Sequence, residues 1–591
     1  MKRFWPFARR RVTAETQSAG LPPVVEAAPS DMARFLTLED EETSALEGAR
    51  RRLTMIGIAL GFAFTILGGR AVMLAVAGEA GPAEQIVAAD GPRGDLVDRN
   101  GNVLATTLET WSLYADPTEV WDAGETAEAL ATVLPDLDVE RVTRDLSTRR
   151  RFVWIQRNLT PRQRQAVFSL GMPGLDFRTE PRRVYPRGRL ASHVVGFSDR
   201  DLIGIAGAER AFDGALEAGD GRPVALSIDM GVQYHVDEVL RASMQEFRAL
   251  AAVGVVMDVH TGEVLSMVSL PDYDANRPAE ARSDDRLNRA TQAVYEMGST
   301  FKAFTVALGL ETGIARPGET FDASNPLRIG GHTIHDFHAQ NRELTLSEIF
   351  THSSNIGSSL IALEVGAEAQ RDLLQRLRLL EAAPIELAET AAPLLPRQWG
   401  PTETATISYG HGLAVSPLSV AAAFAAIANG GVYVQPTLQP VRPGETVAGE
   451  QVLDPDVAQH VLDLMREVVA DGTGRRAEVP GYRVAGKTGT AEKPDRGGYS
   501  RNRLISSFSA VFPYDDPQYV VLVMLDEPHG NASTYGYATA GYTAAPAAGA
   551  IIERIAPILG VERIDDPLER AALVRAALSP DPDMPEPRIQ H

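Results

Sequence analysis

A serine and a lysine three positions apart are the first residues of this sequence that could do chemistry. They are Ser299 and Lys302, in the stretch VYEMGSTFKAFTVALGLETG. Only four of the 57 lysine and arginine residues are lysines, and the other three are Lys2, Lys487 and Lys493. Burial or a neighbouring cation can lower the pKa of a lysine until its amine serves as a base, which an arginine cannot do. On one helical turn, the amine of Lys302 would lie beside the Ser299 hydroxyl and activate it as a nucleophile.

Two later fragments of the sequence contain further polar residues of types that could do chemistry. THSSNIG contains Ser353 and Asn355. VAGKTGTAEK contains a lysine, a glycine and two threonines: Lys487, Thr488, Gly489 and Thr490. Taken alone, each motif has a structural explanation. Ser299 could be a helix cap, Ser353 to Asn355 could be a turn at a helix N-terminus, and Lys487 to Gly489 could be an edge strand with a turn glycine. Ser-x-x-Lys, Ser-x-Asn and Lys-Thr-Gly in this order are the signature of serine acyltransferases that react with penicillin, so together they predict acyl transfer.

Hydrophobic periodicity predicts the elements that must position these residues. Apolar residues recur with helical spacing over 300–310, and Gly313 suits the end of that helix, so Ser299 falls at its N-terminus. Free backbone N–H groups there would stabilise an oxyanion. Another helix is predicted over 420–427, and strands are predicted over 253–259, 263–270, 506–512 and 519–525. We expect an α+β domain in which an antiparallel sheet carries helices on its faces.

The region before this domain predicts a separate module. From Gly78 to about Pro223 the sequence is rich in arginine and loops, and residues 93–108 predict a strand, an Asn-Gly turn and a second strand. It contains no nucleophile with an evident base. The net charge of −21 and the pI near 5.1 argue against a nucleic-acid partner, and the absence of cysteine excludes thiol catalysis, thiolate metal sites and disulfides.

Apolar residues at 53–77 predict a single membrane anchor. The run is interrupted by Arg70, whose side chain can extend to the interface, and is long enough to span a bilayer. Nine Lys or Arg residues lie in the first 52, which places the N-terminus in the cytoplasm and the rest of the chain outside. The Ala75-Val76-Ala77 sequence leaves a cleaved signal peptide as one alternative, and a buried core helix is another.

The chain is therefore expected to be multidomain, with a single transmembrane helix ahead of two extracytoplasmic modules. The expected segments are a cytoplasmic basic tail at 1–52, the anchor at 53–77, a non-catalytic pedestal at 78–223, a catalytic domain at 224–563, and a disordered Pro/Asp-rich tail at 564–591.

With these motifs the chain resembles the class B penicillin-binding proteins, which are peptidoglycan D,D-transpeptidases. The resemblance extends through RGDLVDRNG, RRVYPRGRLASHVVGF, GIAGAERAFDGAL and YGHGLAVSPLSVAAAFAAIANGG, and covers nearly the whole chain after the anchor. It implies an elongated mixed α/β pedestal, also called the dimerisation module, followed by a transpeptidase domain with a five-stranded antiparallel sheet. Met297 departs from the family, because many members have proline there.

The resemblance also implies roles for individual residues. Ser299 would attack the carbonyl between two terminal D-alanines and hold the acyl group as an ester. Neutral Lys302 would be its base, helped by Asn355 and Lys487, which keep the proton off that amine. Ser353 would relay a proton to the departing amine.

For substrate binding, the resemblance implies that the Lys-Thr-Gly-Thr strand receives the donor peptide. Lys487, Thr488 and Thr490 would bind its terminal carboxylate, with Gly489 between the two threonines. The N–H groups of Thr490 and Ser299 would form the oxyanion hole. The second step would use an amine of a neighbouring stem peptide, and no metal or organic cofactor would be needed.

At subgroup level, EIFTHSSNIGSSLIALEVG and AGYTAAPAAGAIIERIAPILGV look like division-type (FtsI-type) sequences of α-proteobacteria. This implies a septal enzyme of the inner membrane with a periplasmic catalytic domain, inhibited by β-lactams. Its expected partners are peptidoglycan stem peptides, the septal glycosyltransferase FtsW and other divisome membrane proteins. The alternatives are an elongation-type transpeptidase, a β-lactamase or D,D-carboxypeptidase, and a non-catalytic sensor or scaffold.

Overall fold

The computed structural model describes residues 93–218, 222–442, 444–495 and 498–564, together with helical positions between 54 and 69. The chain divides into two units, Met1–Ile86 and Val87–His591. In the first unit, the described apolar side chains are exposed, among them Met55, Ile58 and Phe62. No helix among the described residues is long and apolar enough to cross a membrane.

Several predicted segments lie outside the described residues. These are the basic tail at 1–52, most of the anchor at 53–77, the first part of the pedestal at 78–92, and the terminal tail after residue 564.

The second unit begins with a mixed module built on a five-stranded sheet. The strands of this sheet are β1 (Leu96–Val97), β2 (Val103–Ala115), β3 (Val153–Leu159), β4 (Leu175–Val184) and β7 (Val224–Ala225), while β5 (Phe197–Ser198) and β6 (Gly204–Ala206) form a separate two-stranded sheet. Its helices are α1 (Ala123–Val133), α2 (Val139–Leu146), α3 (Pro161–Ser169), α4 (Ser192–Val195), α5 (Gly207–Ala211) and α6 (Asp213–Glu217). Strand β2 pairs antiparallel with β1, β3 and β4, and β1 pairs parallel with β7.

Strand β2 extends well beyond the hairpin predicted over 93–108. The predicted Asn-Gly turn is present, with Gly101 at a φ of +83°. Strand β2 nevertheless continues to Ala115, because its second half pairs with β3 and β4 from later in the chain. A local sequence pattern cannot reveal such pairing.

A buried ion network stabilises the start of this module. Glu209 accepts hydrogen bonds from Arg93 Nε at 2.8 Å and from Arg183 Nε at 2.7 Å, and all three side chains are buried. Each charge is paired, which is the condition for keeping charges in an interior.

The remaining elements form the second domain. Its strands are β8 (Ala251–Asp258), β9 (Val264–Leu270), β10 (Thr320–Asp322), β11 (Leu327–Ile329), β12 (His332–Ile334), β13 (Glu343–Thr345), β14 (Val432–Tyr433), β15 (Glu450–Gln451), β16 (Ala485–Asp495), β17 (Gly498–Phe512) and β18 (Tyr519–Asp526). Its helices are α7 (Met230–Phe247), α8 (Lys302–Glu311), α9 (Leu346–Thr351), α10 (Asn355–Val365), α11 (Ala367–Arg376), α12 (Pro401–Ile407), α13 (Pro417–Ala428), α14 (Pro455–Asp471) and α15 (Ala544–Ile555).

The central sheet of this domain has the strand order β16-β17-β18-β8-β9, and every pair is antiparallel. Alternate residues of β8 enter different cores. Val253 and Val255 pack into the cluster that includes α8 and α13, whereas Ala252 and Val256 pack into the cluster that includes α7 and α15. A strand with both faces covered is apolar throughout, which is why its pattern is continuous. The predicted five-stranded antiparallel sheet with helices on both faces is confirmed.

Candidate active site

Ser299 lies on a 3₁₀ turn, Gly298–Phe301, which leads directly into α8. The predicted helix is thus corrected at its start: the α-helix begins at Lys302, not at residue 300, and a tighter turn carries the serine. The spacing keeps its predicted effect, because residues three apart eclipse each other in a 3₁₀ turn. Lys302 Nζ lies 2.9 Å from Ser299 Oγ, and the lysine is fully buried.

Ser353 and Asn355 reach the same amine from the start of α10. Lys302 Nζ lies 3.0 Å from Ser353 Oγ, 2.5 Å from the Ser353 carbonyl oxygen and 2.7 Å from Asn355 Oδ1. Ser353 has a φ of +59°, a left-handed conformation that is uncommon for a residue other than glycine. Oxygen atoms of Ser299, Ser353 and Asn355 therefore surround the Lys302 amine.

Lys487 extends from β16 to the opposite side of Ser353. Its Nζ lies 3.1 Å from Ser353 Oγ and 5.4 Å from the centre of the Phe350 ring, and the side chain is fully buried. The Ser353 hydroxyl is thus held between the amines of Lys302 and Lys487, a geometry suited to passing a proton.

Burial dominates the electrostatics of both lysines. It lowers the pKa of Lys302 well below the usual value, and the positive charge of Lys487 lowers it further, while the carboxylate of Asp336 acts in the opposite direction. Burial also lowers the pKa of Lys487, to about 7. An amine that is neutral near physiological pH can accept the proton of a serine hydroxyl.

Two glycines allow the nucleophile turn and β16 to meet backbone to backbone. A Cβ atom on Gly489 would lie 2.4 Å from the Met297 carbonyl oxygen, and one on Gly298 would lie 2.7 Å from that of Thr490. Gly298 also has a φ of +57°. The glycine of the Lys-Thr-Gly motif is therefore required by close packing against the turn that carries the serine.

The structure brings six of the eight predicted residues into one contact network around Ser299: Ser299, Lys302, Ser353, Asn355, Lys487 and Gly489. The two threonines lie beside them on β16, with their hydroxyl groups bonded elsewhere. Thr488 Oγ1 lies 2.7 Å from Thr473 Oγ1, and Thr490 Oγ1 accepts a hydrogen bond from the Ala540 N–H at 3.1 Å. These hydroxyl orientations are set by neighbours that the sequence motifs do not include.

One segment at the site was missed by sequence reasoning. His335 and Asp336 follow β12 and contact the Ser-x-Asn motif, with Asp336 accepting the backbone N–H of Asn355 at 2.6 Å. No pattern in the sequence could have identified them, because the contact joins a short hairpin to a helix that begins 19 residues later.

Two family models match adjacent parts of the chain. One is described as the penicillin binding protein transpeptidase domain and matches residues 252–553. The other is described as the penicillin-binding protein dimerisation domain and matches residues 88–233.

Similar proteins match along most of the chain. The probable peptidoglycan D,D-transpeptidase FtsI of Caulobacter vibrioides is 45% identical over 543 residues, which cover 90% of this chain and 90% of that protein. The peptidoglycan D,D-transpeptidase FtsI of Escherichia coli K12 is 32% identical, over 80% of this chain and 84% of that protein. A crystal structure of penicillin binding protein 3 from Mycobacterium tuberculosis, complexed with aztreonam, has a TM-score of 0.63 and 26% identity over 81% of this chain and 98% of that one.

The motif geometry and the family models lead to the same assignment. The transpeptidase model covers all but the first residue of the β16-β17-β18-β8-β9 sheet and every predicted site residue. The dimerisation model covers the module that precedes this domain. The chain belongs to the class B penicillin-binding proteins, the family of the FtsI peptidoglycan D,D-transpeptidases.

Proposed function

We propose that this protein cross-links peptidoglycan stem peptides through an acyl ester on Ser299, during septum formation. The observation that carries the proposal is the buried Lys302 amine, which lies 2.9 Å from Ser299 Oγ and 2.7 Å from Asn355 Oδ1 in a member of this family. A neutral amine at this distance can take the hydroxyl proton as the oxygen attacks a carbonyl.

In the acylation step, Ser299 Oγ attacks the carbonyl carbon between the two terminal D-alanines of a donor stem peptide. Lys302 Nζ takes the hydroxyl proton. The C–N bond then breaks, and the departing D-alanine amine receives a proton through Ser353 Oγ, which lies within 3.1 Å of both lysine amines. Ser299 is left as an ester, and Lys302 returns to its neutral form.

Donor recognition is assigned to β16. Within the described residues this strand pairs only with β17, so its other edge can accept an extended peptide by strand addition. Lys487 in its charged form, together with the hydroxyl groups of Thr488 and Thr490, would bind the terminal carboxylate. The N–H groups of Ser299 and Thr490 would form the oxyanion hole, since Gly298 and Gly489 bring the two backbones into contact.

In the second step, the amine of a neighbouring stem peptide attacks the ester carbon and gives a proton to neutral Lys302. The C–O bond of the ester then breaks, and Lys302 passes this proton to the departing Ser299 oxygen. Hydrolysis by a β-lactamase or D,D-carboxypeptidase would instead need an activated water to attack the ester carbon, and a nearby carboxylate is one group that could activate it. Glu296 lies three residues before the serine, but its Oε1 accepts hydrogen bonds from the Gly412 N–H at 2.9 Å and the Tyr499 hydroxyl at 3.0 Å. The similarity to peptidoglycan D,D-transpeptidases supports transfer to an amine over hydrolysis.

The domain limits and the topology belong to the same proposal. We assign a pedestal to 78–223 and the transpeptidase domain to 224–563, held in the periplasm by an anchor at 53–77 with the N-terminus in the cytoplasm. The apolar run, the basic residues before it and the similarity to division-type relatives support this assignment. FtsW and other divisome membrane proteins are the proposed partners. An elongation-type role remains the alternative, because both roles use the same chemistry.

Mass spectrometry of the full-length protein after incubation with penicillin tests the chemistry. We expect one penicilloyl adduct, on Ser299, and none in Ser299→Ala. The exposed Ser533 provides a matched control, since Ser533→Ala should label like the wild type. An adduct on another serine would refute the mechanism, and so would folded wild-type protein that remains unlabelled.

Depletion in the native host tests the role in division. Filaments with blocked septa are expected, whereas rounded cells that still divide would assign the protein to side-wall elongation. A chain with an inactive Ser299→Ala site that still supported division would instead indicate a scaffold.

A further inference from the structure

Asp336 binds the start of α10 from outside the three motifs. Its Oδ1 accepts the backbone N–H groups of Asn355 at 2.6 Å and Ile356 at 2.9 Å, and its Oδ2 accepts the Ser354 hydroxyl at 2.7 Å. Ser354 in turn caps the helix by accepting the Gly357 N–H at 2.9 Å. One carboxylate therefore immobilises the residue between the two polar members of the Ser-x-Asn motif.

The neighbouring backbone orients the asparagine side chain. Asn355 Nδ2 donates to the His335 carbonyl oxygen at 3.0 Å. An amide with its nitrogen held on one side must present its oxygen on the other, and Asn355 Oδ1 lies 2.7 Å from Lys302 Nζ. The segment 335–336 thus decides which atom of Asn355 faces the proposed base.

The same contacts support the strained residue of the motif. Ser353 has its left-handed φ of +59° and directs both its carbonyl oxygen and its hydroxyl to Lys302 Nζ. A non-glycine residue keeps such a conformation only when its surroundings over-determine it. The bonds from Asp336 to the next three residues supply that constraint, because they anchor the chain directly after Ser353.

Asp336 also contributes the negative charge that acts on Lys302. The groups that face this amine are Lys487 from β16, Asp336 from the loop after β12, and His411 from the loop after α12. Burial, together with Lys302, lowers the pKa of His411 to about 4, so the imidazole is neutral at physiological pH. The carboxylate opposes the effects of burial and Lys487 on Lys302.

We infer that Asp336 is a positioning residue of the acylation step, which holds Ser353 and Asn355 against Lys302 through the first turn of α10. The inference rests on the proposed function, since it concerns the same acyl transfer. It assigns a role to a short hairpin, β11–β12, whose residues belong to none of the three motifs.

The two effects of Asp336 can be separated by two substitutions. Asp336→Asn keeps an oxygen that can accept the backbone N–H groups but removes the charge, so the pKa of Lys302 falls further. Lys302 then stays neutral down to a lower pH. In the profile of acylation rate against pH, the acid limb, where the rate falls because Lys302 becomes protonated, therefore moves to lower pH. Asp336→Ala removes all three hydrogen bonds, and the plateau rate should fall by about tenfold or more, the usual scale for losing hydrogen bonds to a charged group.

The experiment measures the second-order rate of penicillin acylation of the full-length protein in detergent, from mildly acidic to mildly alkaline pH. Asp229→Ala is the matched control, because Asp229 Oδ1 likewise accepts two backbone N–H groups, those of Gly231 and Val232, at the start of α7. Its other oxygen accepts a hydrogen bond from the Asn100 side chain at 2.8 Å, and none of these partners belongs to the site, so the acylation rate of Asp229→Ala per folded molecule should stay within about twofold of the wild type.

The expected result is a lower plateau for Asp336→Ala and a displaced acid limb for Asp336→Asn, with neither change in the control. Wild-type rates in both variants would overturn the inference. The inference would also be overturned if Asp336→Ala lowered the plateau rate, Asp336→Asn left the acid limb in place, and Asp229→Ala lowered the plateau rate as much as Asp336→Ala. That combination would assign Asp336 a structural role only. Should Asp336→Ala fail to fold, Asp336→Asn decides alone through the acid limb. If the wild-type protein itself were not acylated, the proposed function would fail. This outcome distinguishes a failure of the proposed function from a failure of the inference about Asp336.

Discussion

Replacement of Lys302 by arginine tests the proposed base most directly. The positive charge is kept, but a guanidinium cannot accept a proton at any pH that the protein tolerates. Lys302 Nζ lies within 3.0 Å of oxygens from Ser299, Ser353 and Asn355, and no part of the side chain is exposed. Solvent therefore cannot easily replace the lost base.

The expected loss follows from the role. A positioned general base contributes about 10²- to 10⁴-fold to a rate, equivalent to about 3 to 5 kcal/mol of barrier. We expect the second-order rate of penicillin acylation to fall by at least about 100-fold in Lys302→Arg. The assay measures the rate of adduct formation by the full-length protein at neutral pH, with the reaction stopped at a series of times.

Two further variants separate chemistry from packing. The larger guanidinium can cost about 1 to 3 kcal/mol of stability by overpacking, so Lys302→Met, which also lacks a base, should lose as much activity without the added bulk. Lys493→Arg makes the same substitution where lysine only needs its charge, because Lys493 pairs with Asp526 at 2.7 Å, and it should retain the wild-type rate. A folded Lys302→Arg protein that acylates within about tenfold of the wild type would refute the assignment of the base.

Three other predictions address donor binding, close packing and the pedestal. Burial lowers the pKa of Lys487 to about 7, so its positive charge is present below that pH and lost above it. The KM for a donor with a terminal carboxylate should therefore rise by up to about tenfold per pH unit above pH 7. A KM that does not change with pH would contradict this prediction. Gly489→Ala should lower the free energy of unfolding by about 1 to 3 kcal/mol in thermal denaturation, whereas Gly214→Ala, with nothing within 4 Å of the added carbon, should not. Arg183→Met should cost about 3 kcal/mol in denaturant unfolding, because it leaves the buried Glu209 carboxylate partly unpaired, and an unchanged midpoint would show that Arg93 alone suffices.

The strands and helices that carry the site were predictable because their signals are local. Residues 253–259, 506–512 and 519–525 are rich in apolar residues, and the structure places strands at 251–258, 498–512 and 519–526. The extension of β2 to Ala115 was not predictable, because it depends on pairing with β3 and β4. The start of α8 was placed two residues early, since a 3₁₀ turn and an α-helix share the same apolar spacing over a single turn.

The sequence by itself determined the chemistry: a serine with a lysine three residues later, followed by the Ser-x-Asn and Lys-Thr-Gly fragments in a diagnostic order. It also indicated most of the strands of the catalytic sheet, because the apolar patterns that predict strands lie in neighbouring residues. Only the tertiary structure decided that Lys487 lies 3.1 Å from Ser353 Oγ, that Gly489 must lack a side chain, and that Asp336 anchors α10. These facts join segments far apart in the chain, and the lowered pKa of Lys302 arises from burial. Burial and long-range contact are properties of the packed fold, which no local pattern of residues contains.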